Sequence, residues 1–385
     1  MLAATVRVVR DVDVAEECVQ EAYAAALVAW PVDGVPANPV GWLTTAARRR
    51  AIDVVRRERV YRTKLALLTV PESEPLPVLD ERLGLLFMCC HPALAADVQP
   101  ALTLRLVCGV STADIARAFL VPEPTMAARL TRAKQKIAKA RIPFRVPAEE
   151  DLPGRLQGVL GVIHLLYTTG HTAPSGATLV RADPSDQAVR LARLLHELMP
   201  AEPEVRGLLA LLLVTDARRA TRVDDFGRLV RLEDQDRSRW DRAAIATADA
   251  LIVEALRAAR PGRYVLQAAI AALYAQAPAF ASTDWEQILT LYDELLAVWP
   301  SPVVALNRAV PLSRVHGPEA ALRELEALEA DDRLAGYQYL PAVKADVLER
   351  LGRSGEAADA YRRALSLVTN DPERAFLAKR LSALT

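Results

Sequence analysis

Apolar residues recur at three- and four-residue spacing along almost the whole chain, and the pattern breaks at Pro and Gly. No stretch alternates between apolar and polar residues as a strand would. No apolar run reaches the roughly 18 residues of a membrane span, and the N-terminus lacks the pattern of a secretory signal. The pattern predicts an all-α fold, and we expect a cytoplasmic location.

A first pair of helices is predicted from residue 111 onward. Ser111 and Asp114 have the spacing of a capping box, which favours a helix start at this point. The helix that follows would carry Ile115, Ala116 and Phe119 inward.

Two prolines separate this helix from the next. Proline is tolerated in the first turn of a helix but not in its interior, so Pro122 and Pro124 predict a second helix that begins near Glu123. Met126 and Leu130 would be its buried residues. Two short helices joined in this way have the form of a helix-turn-helix.

The second helix runs into a purely basic segment. Residues 126–145 contain seven Lys or Arg and no Asp or Glu. In a helix-turn-helix the first residues of the second helix meet base edges, and cations further along meet phosphates. The base-facing candidates are Glu123, Thr125 and Arg129, and the phosphate candidates are Arg132, Lys134 and Lys136. A helical hairpin with a solvated basic face is the alternative.

Residues 11–30 predict an amphipathic helix with an acidic outer face. Its polar face carries Glu17, Gln20 and Glu21. Its predicted apolar face consists of Val12, Ala15, Val19, Ala22, Tyr23, Ala26 and Leu27.

Residues 38–62 predict an arginine-rich helix. Its predicted buried stripe is Leu43, Ala47, Ala51 and Val55, and its other faces carry Arg48, Arg49, Arg50, Arg56, Arg57 and Arg59. Asp53 and Glu58 cannot neutralise so many cations, which indicates an anionic partner. Trp30 and Trp42 flank the preceding loop and are candidates for stacking on bases, but we favour a place in the core for both.

The composition and the distribution of charge add information on domain number and on partners. A chain of 385 residues with 52% apolar content is globular and has room for two or three domains. The net charge is zero, yet residues 1–145 contain 20 Lys or Arg and 15 Asp or Glu, and the remainder contains 28 and 33. A basic N-terminal part and a mildly acidic C-terminal part suggest nucleic-acid contact in the first and regulation or protein contact in the second.

Three segments together resemble the sigma-70 family of transcription initiation factors, and within it the extracytoplasmic-function (ECF) subfamily. They are AEECVQEAY (15–23), NPVGWLTTAARRRAIDVVRR (38–57) and STADIARAFLVPEPTMAARLTRAKQKI (111–137). The resemblance implies that the helix predicted over residues 11–30 docks on core RNA polymerase through Glu17, Gln20 and Glu21. It also implies that the helix-turn-helix binds the −35 promoter element as double-stranded DNA. It also implies binding of the −10 element, where promoter DNA is melted, through Asn38, Trp42, Arg48, Arg49, Arg50, Arg56 and Arg57.

The predicted domains follow from this resemblance. Residues 1–64 would form sigma region 2, residues 65–80 a proline-rich linker, and residues 81–145 sigma region 4. Family members usually have a full helix before the segment equivalent to Asp11, and here ten residues precede it. Either the first helix is short or the start codon is placed late.

Residues 146–385 are predicted to be helical throughout, with degenerate repeats. Segments 284–295, 317–328 and 355–365 recur at close to the ~34-residue tetratricopeptide period. Their predicted equivalent positions are Ile288, Tyr292 and Leu295; Ala320, Glu324 and Ala327; and Ala357, Tyr361 and Ala364. This part resembles the tetratricopeptide-like extension of one ECF group, which implies a regulatory solenoid with an intramolecular or protein partner.

The segment LEDQDRSRW (232–240) is either a binding site or a structural ion-pair network, and we favour the second. Cys89, Cys90 and His91 are consecutive, but adjacent residues on a helix point about 100° apart, so a buried core is favoured over a metal site. We find no phosphate-binding loop, nucleophile elbow or ligand cluster. We therefore expect neither an enzyme nor a cofactor. The alternative function is a helical-repeat adaptor or regulator that binds DNA but does not initiate transcription.

Overall fold

The computed structural model describes residues 1–63, 81–95, 97–119, 121–148, 150–173 and 175–384. Within these ranges the regular elements are helices, and extended pairing is limited to the isolated bridges Gly176–Asn370 and Val223–Leu229. The predicted all-α fold is confirmed. The predicted linker, residues 65–80, lies outside the described residues.

The chain forms two compact units, Met1–Leu165 and Leu166–Thr385. The helices of the first unit are α1 (Leu2–Val9), α2 (Val12–Asp33), α3 (Pro39–Thr63), α4 (Glu81–Cys89), α5 (Val98–Leu106), α6 (Thr112–Ala118) and α7 (Glu123–Lys139). Helix α8 (Leu152–His171) contains the division between the units. The predicted domain boundary at residue 145 stays a prediction.

The helices of the second unit are α9 (Ala182–Leu198), α10 (Pro203–Asp216), α11 (Arg242–Ala258), α12 (Arg263–Gln276), α13 (Trp285–Val298), α14 (Pro302–Val315), α15 (Pro318–Leu328), α16 (Tyr339–Arg350), α17 (Ser354–Leu367) and α18 (Asp371–Ser382). From α12 onward each helix packs on the next along the chain. In the described parts of both units, no helix has the length and apolar character needed to cross a membrane.

Helices α1, α2 and α3 pack on one another at the N-terminal end. Helix α2 is capped by Asp11, whose carboxylate accepts hydrogen bonds from the backbone N–H groups of Asp13 (2.9 Å) and Val14 (3.0 Å). Of the stripe predicted on α3, Leu43, Ala47 and Ala51 are buried and Val55 is half-buried.

The predicted apolar face of α2 is wrong at two positions. Tyr23 is 51% exposed and Leu27 is 77% exposed. The buried residues at this level are their small neighbours Ala22 and Ala26, which pack with Leu43 and Ala47 of α3. Because small side chains line this contact, the larger ones are directed to the surface.

Helices α6 and α7 form the predicted helix-turn-helix. The Ser111 hydroxyl accepts a hydrogen bond from the backbone N–H of Asp114 at 3.1 Å, as a capping box requires. Helix α7 begins at Glu123, after the Pro122 cap. The predicted inward residues Ile115, Ala116, Met126 and Leu130 are buried, and Phe119 is half-buried.

Helix α8 packs against the helices that precede the helix-turn-helix. The Arg155 guanidinium donates a hydrogen bond to the carbonyl oxygen of Phe87. Gly158 faces the side chains of Gln99 and Cys90. Cys89 and Cys90 are buried, which confirms their predicted place in the core.

The predicted repeat positions are right in two segments and shifted in the third. On α17, Ala357, Tyr361 and Ala364 are buried, and on α13, Ile288 and Leu295 are buried with Tyr292 partly exposed. On α15 the buried residues are Ala321, Leu322 and Leu325, whereas the predicted Ala320 is half-buried and Ala327 is exposed. The orientation of α15 is therefore determined by the packing of its leucines, and the alanine spacing used for the prediction does not determine it.

Candidate nucleic-acid interface

The acidic face predicted on α2 is at the surface. Glu17, Gln20 and Glu21 are all exposed and lie on one side of the helix, because they are three and four residues apart. Glu21 forms an ion pair with Arg50 of α3 at 3.0 Å. These three side chains are accessible to a partner.

The same helix carries an exposed apolar segment that the sequence analysis missed. Leu27 is 77%, Val28 75% and Val32 83% exposed. Exposed aliphatic side chains in one row are typical of a surface that a partner covers. The sequence could have indicated this exposure, since Ala15, Cys18, Ala22 and Ala26 alone form a continuous buried row on α2 that does not need Leu27, Val28 or Val32.

Most of the predicted arginines on α3 are held in solvent. Arg48, Arg49, Arg56 and Arg57 are exposed and form no ion pair with another described residue. Arg50 is exposed as well and is paired with Glu21. Cations left without acidic neighbours are suited to contact phosphates. The side chain of the predicted Arg59 is outside the described residues.

Asn38 and Trp42 lie at the start of α3. The Asn38 side-chain oxygen accepts a hydrogen bond from the backbone N–H of Gly41 at 2.9 Å, so this residue caps the helix. Trp42 and Trp30 are half-buried, with ring centroids 5.7 Å apart in an edge-to-face arrangement. Both pack on the core of α2 and α3, as we favoured, and base contact by Trp42 stays a prediction.

The outer surface of the helix-turn-helix presents four of its predicted DNA contacts to solvent. Glu123, Thr125, Arg132 and Lys136 are exposed, and Arg129 is half-buried. Because α7 buries Met126, Leu130, Ala133 and Ile137 on one side, its opposite side is free to enter a groove.

Lys134, the sixth predicted contact, lies in an ion-pair cluster. Its ammonium pairs with Asp13 and with Glu16, the latter at 2.9 Å, and Glu16 also pairs with Arg105 at 3.4 Å. Burial acts to lower the pKa of Lys134, but the hydrogen bonds to Asp13 and Glu16 outweigh it, and the pKa is raised. The side chain is 17% exposed, so in this conformation it is not free to bind phosphate.

The cluster joins α2 to the helix-turn-helix across more than a hundred residues of sequence. Asp13, Glu16 and Arg105 were not among the predicted site residues. The sequence alone gives no signal for them, since charged residues on helix surfaces are usually solvated. Among the described residues, no group of three His, Cys, Asp or Glu side chains is placed to hold a metal ion.

The first unit thus combines an acidic and apolar helix face, an arginine-rich helix and a helix-turn-helix, which is the arrangement of a DNA-binding protein that also docks on a protein. Residues 2–60 match the family model for sigma-70 region 2, and residues 85–137 match that for sigma-70 region 4. Residues 155–256 match a family of unknown function (DUF6596). The chain belongs to the sigma-70 family.

Two further similarities cover almost the whole chain. It is 45% identical to "Uncharacterized protein R00370" of Rhizobium meliloti (strain 1021), over 100% of this chain and 93% of that protein. The crystal structure of yeast Tom70 aligns with 99% of this chain and 81% of its own, at 13% identity and a TM-score of 0.41.

Membership of the family defines the general role. Sigma-70 proteins are transcription initiation factors and not enzymes, and their regions 2 and 4 bind core RNA polymerase and promoter DNA. The predicted sigma class is confirmed.

Proposed function

We propose that this protein is an ECF-type sigma factor whose C-terminal helical unit regulates it. The observation that carries the proposal is the exposed arginine row of α3 beside the exposed acidic and apolar face of α2. A repressor needs cations for DNA but no second protein-docking surface next to them. We expect the protein to act in the cytoplasm, where polymerase and promoters are.

The proposed division of labour follows the surfaces. Glu17, Gln20 and Glu21 dock on core polymerase, and the exposed Leu27 and Val28 extend that contact. The proposed −10 contacts, with melted DNA, are Asn38, Trp42, Arg48, Arg49, Arg50, Arg56 and Arg57. The proposed −35 contacts, with duplex DNA, are Glu123, Thr125, Arg129, Arg132, Lys134 and Lys136.

The Lys134 cluster bears on how the −35 contacts become available. Asp13 and Glu16 hold Lys134 with two carboxylates. Phosphate and carboxylate compete for the same ammonium, so Lys134 contacts DNA only after these ion pairs open. Binding of α2 to polymerase would favour that opening.

The proposal is tested by the affinity of the full chain for purified core RNA polymerase, measured by fluorescence anisotropy of the labelled protein. Glu17→Lys with Glu21→Lys reverses two exposed charges and should weaken binding at least about tenfold, because rows of charge at an interface select the partner. Loss of the Glu21–Arg50 surface pair costs the fold at most about 1 kcal/mol.

The matched control is Glu319→Lys with Glu326→Lys on α15, where both residues are also exposed. It changes the net charge equally and should bind as the unmodified chain does. Equal loss in both variants would show a nonspecific charge effect. Absence of polymerase binding by the unmodified chain would favour the DNA-binding adaptor.

A further inference from the structure

A short hairpin, residues 222–230, lies between α10 and α11 of the second unit. The backbone N–H of Asp224 donates a hydrogen bond to the carbonyl oxygen of Arg228 at 2.9 Å, which pairs the two arms. Gly227 closes the turn: its N–H donates to the carbonyl of Asp224 at 2.9 Å, and its φ is +74°, a conformation that favours glycine. Residues 224–228 form the tip of this hairpin.

The base of the hairpin is anchored in the second unit. The Arg222 guanidinium donates hydrogen bonds to the carbonyl of His171 and to the hydroxyl of Thr172, the latter at 3.0 Å. The Trp240 indole N–H donates to the Thr221 hydroxyl at 2.9 Å, and both of these residues are buried. The hairpin is therefore fixed where it leaves the helices.

The segment LEDQDRSRW (232–240), which follows the hairpin, is held by contacts within the unit. Arg231, the residue before it, pairs with Glu233 and with Asp234. Arg237 donates hydrogen bonds to two backbone carbonyl oxygens at the end of α12, at 2.7 and 2.8 Å. These contacts favour the structural interpretation of this segment.

The tip of the hairpin presents an aromatic side chain to solvent. Phe226 is 82% exposed, whereas the other large apolar side chains at the surface of the described second unit are 36–46% exposed. Aromatic side chains contribute much of the binding free energy when a partner buries them. The exposure of Phe226 is therefore typical of an anchor residue.

Hydrogen bonds order the tip before any partner binds. The Asp224 carboxylate accepts hydrogen bonds from the backbone N–H groups of Phe226 and Arg228, each at 2.9 Å, and from the Arg228 Nε at 2.7 Å. The Arg228 guanidinium in turn lies over the Phe226 ring, 4.9 Å from its centroid. An aromatic side chain that is already held in place loses less conformational entropy on binding.

The charge of the tip favours a protein partner. Asp224 and Arg228 neutralise each other, and Asp225 is exposed without an ion pair to another described residue. The charge left open is therefore negative, and the tip offers no open cation to DNA phosphates or to anionic lipid headgroups. A protein with an apolar pocket and a basic residue beside it is complementary to this tip.

The small size of the tip narrows the choice of partner. A stable interface buries roughly 800 Å² on each side, and five residues supply only a fraction of that area. The tip therefore needs a partner that the chain already holds elsewhere, because tethering raises the effective concentration to about millimolar. Sigma-70 regions 2 and 4 bind core RNA polymerase.

We propose that the tip of the hairpin docks on core RNA polymerase, with Phe226 in an apolar pocket that has a basic rim. The inference rests on the polymerase binding of the proposed function and adds to it a contact made by the second unit. The hairpin belongs to the part of the chain that matches the family of unknown function.

The first test measures the affinity of full-chain variants for purified core RNA polymerase by fluorescence anisotropy. Phe226→Ser should weaken binding about ten- to a hundredfold, because burial of a phenylalanine is lost. It should unfold at the same temperature as the unmodified chain, since the side chain is exposed. Asp224→Ala keeps Phe226 but removes the carboxylate that orders the tip, so binding should weaken several-fold.

The matched control is Leu256→Ser on α11, which removes a 46% exposed apolar side chain from the same unit. It should bind polymerase as the unmodified chain does. An equal loss of affinity in Leu256→Ser and Phe226→Ser would overturn the proposal, because the effect would then come from the unit as a whole.

Photo-cross-linking tests the contact itself. The cross-linking amino acid benzoylphenylalanine in place of Phe226 should form an adduct with a polymerase subunit, and in place of Leu256 it should not. Unchanged affinity of Phe226→Ser, or no adduct from position 226, would overturn this inference alone if the unmodified chain binds polymerase. Absence of polymerase binding by the unmodified chain would overturn both this inference and the proposed function.

Discussion

The arginines of α3 and the arginines of the second unit have different surroundings. Arg56 and Arg57 are exposed and have no acidic partner among the described residues. In the second unit, Arg308 pairs with Asp293 and with Glu324, each at 2.5 Å. Arg56 and Arg57 are thus left open to an outside partner, whereas Arg308 is neutralised within the protein.

This difference distinguishes arginines that bind a partner outside the protein from arginines that bind carboxylates within it. An arginine with carboxylates beside it ties helices together, and removing it affects the fold. An arginine without them contributes little to the fold and is available to an anion from outside. Lys134 is an exception, since it is paired with Asp13 and Glu16 within the first unit.

The largest expected effect concerns the open arginines. Arg56→Gln with Arg57→Gln should weaken binding to single-stranded −10 DNA by about tenfold or more and reduce the salt dependence, as the slope of log K against log salt, by about 1.4. The measurement is a salt titration of the polymerase-bound protein. Arg362→Gln with Arg363→Gln on α17 is the matched control and should change neither quantity.

The second prediction tests the close packing within the helical unit. A Cβ at Gly207 of α10 would lie 2.5 Å from the backbone nitrogen of Val265 on α12. Gly207→Ala should therefore destabilise the protein by about 1–3 kcal/mol, although alanine favours helices. Gly355→Ala on α17 meets open space and should be neutral or stabilising. Equal effects in denaturant unfolding would contradict the packing account.

The third prediction concerns the paired lysine. Asp13→Asn with Glu16→Gln should release Lys134 and strengthen binding of the full chain to −35 duplex DNA several-fold at low salt. The gain should disappear when Lys134→Gln is added, which a double-mutant cycle measures. If the gain persists without Lys134, it comes from net charge alone. The control is to add Lys136→Gln, at an exposed site, in place of Lys134→Gln.

The smallest effect is expected for the stability of the first unit. Leu27→Ser with Val28→Ser alters side chains about three-quarters exposed, so the free energy of unfolding should change by less than about 0.5 kcal/mol. Affinity for core polymerase should fall several-fold. A large loss of stability with unchanged affinity would show that these residues belong to the core.

Local chemistry allowed much of the first unit to be predicted. The capping box at Ser111 and the prolines at 122 and 124 determine backbone geometry within a few residues, and the helix starts agree with them. The orientation of Leu27 was mispredicted because helical spacing does not tell which of two adjacent apolar rows faces a neighbour.

Contacts between distant segments could not be predicted. Lys134 meets Asp13 across 121 residues, and Asn370 meets Ala173 across 197. Nothing in the spacing of either segment indicates its partner.

The most direct test of the account is run-off transcription with purified core RNA polymerase, the full chain and pooled promoter-length fragments of the source genome. If the protein is a sigma factor, we expect transcripts from defined start sites that require the protein, are lost with Arg56→Gln and Arg57→Gln, and persist with Arg362→Gln and Arg363→Gln. Absence of protein-dependent transcripts, while the chain still binds DNA, would contradict it and leave a DNA-binding adaptor.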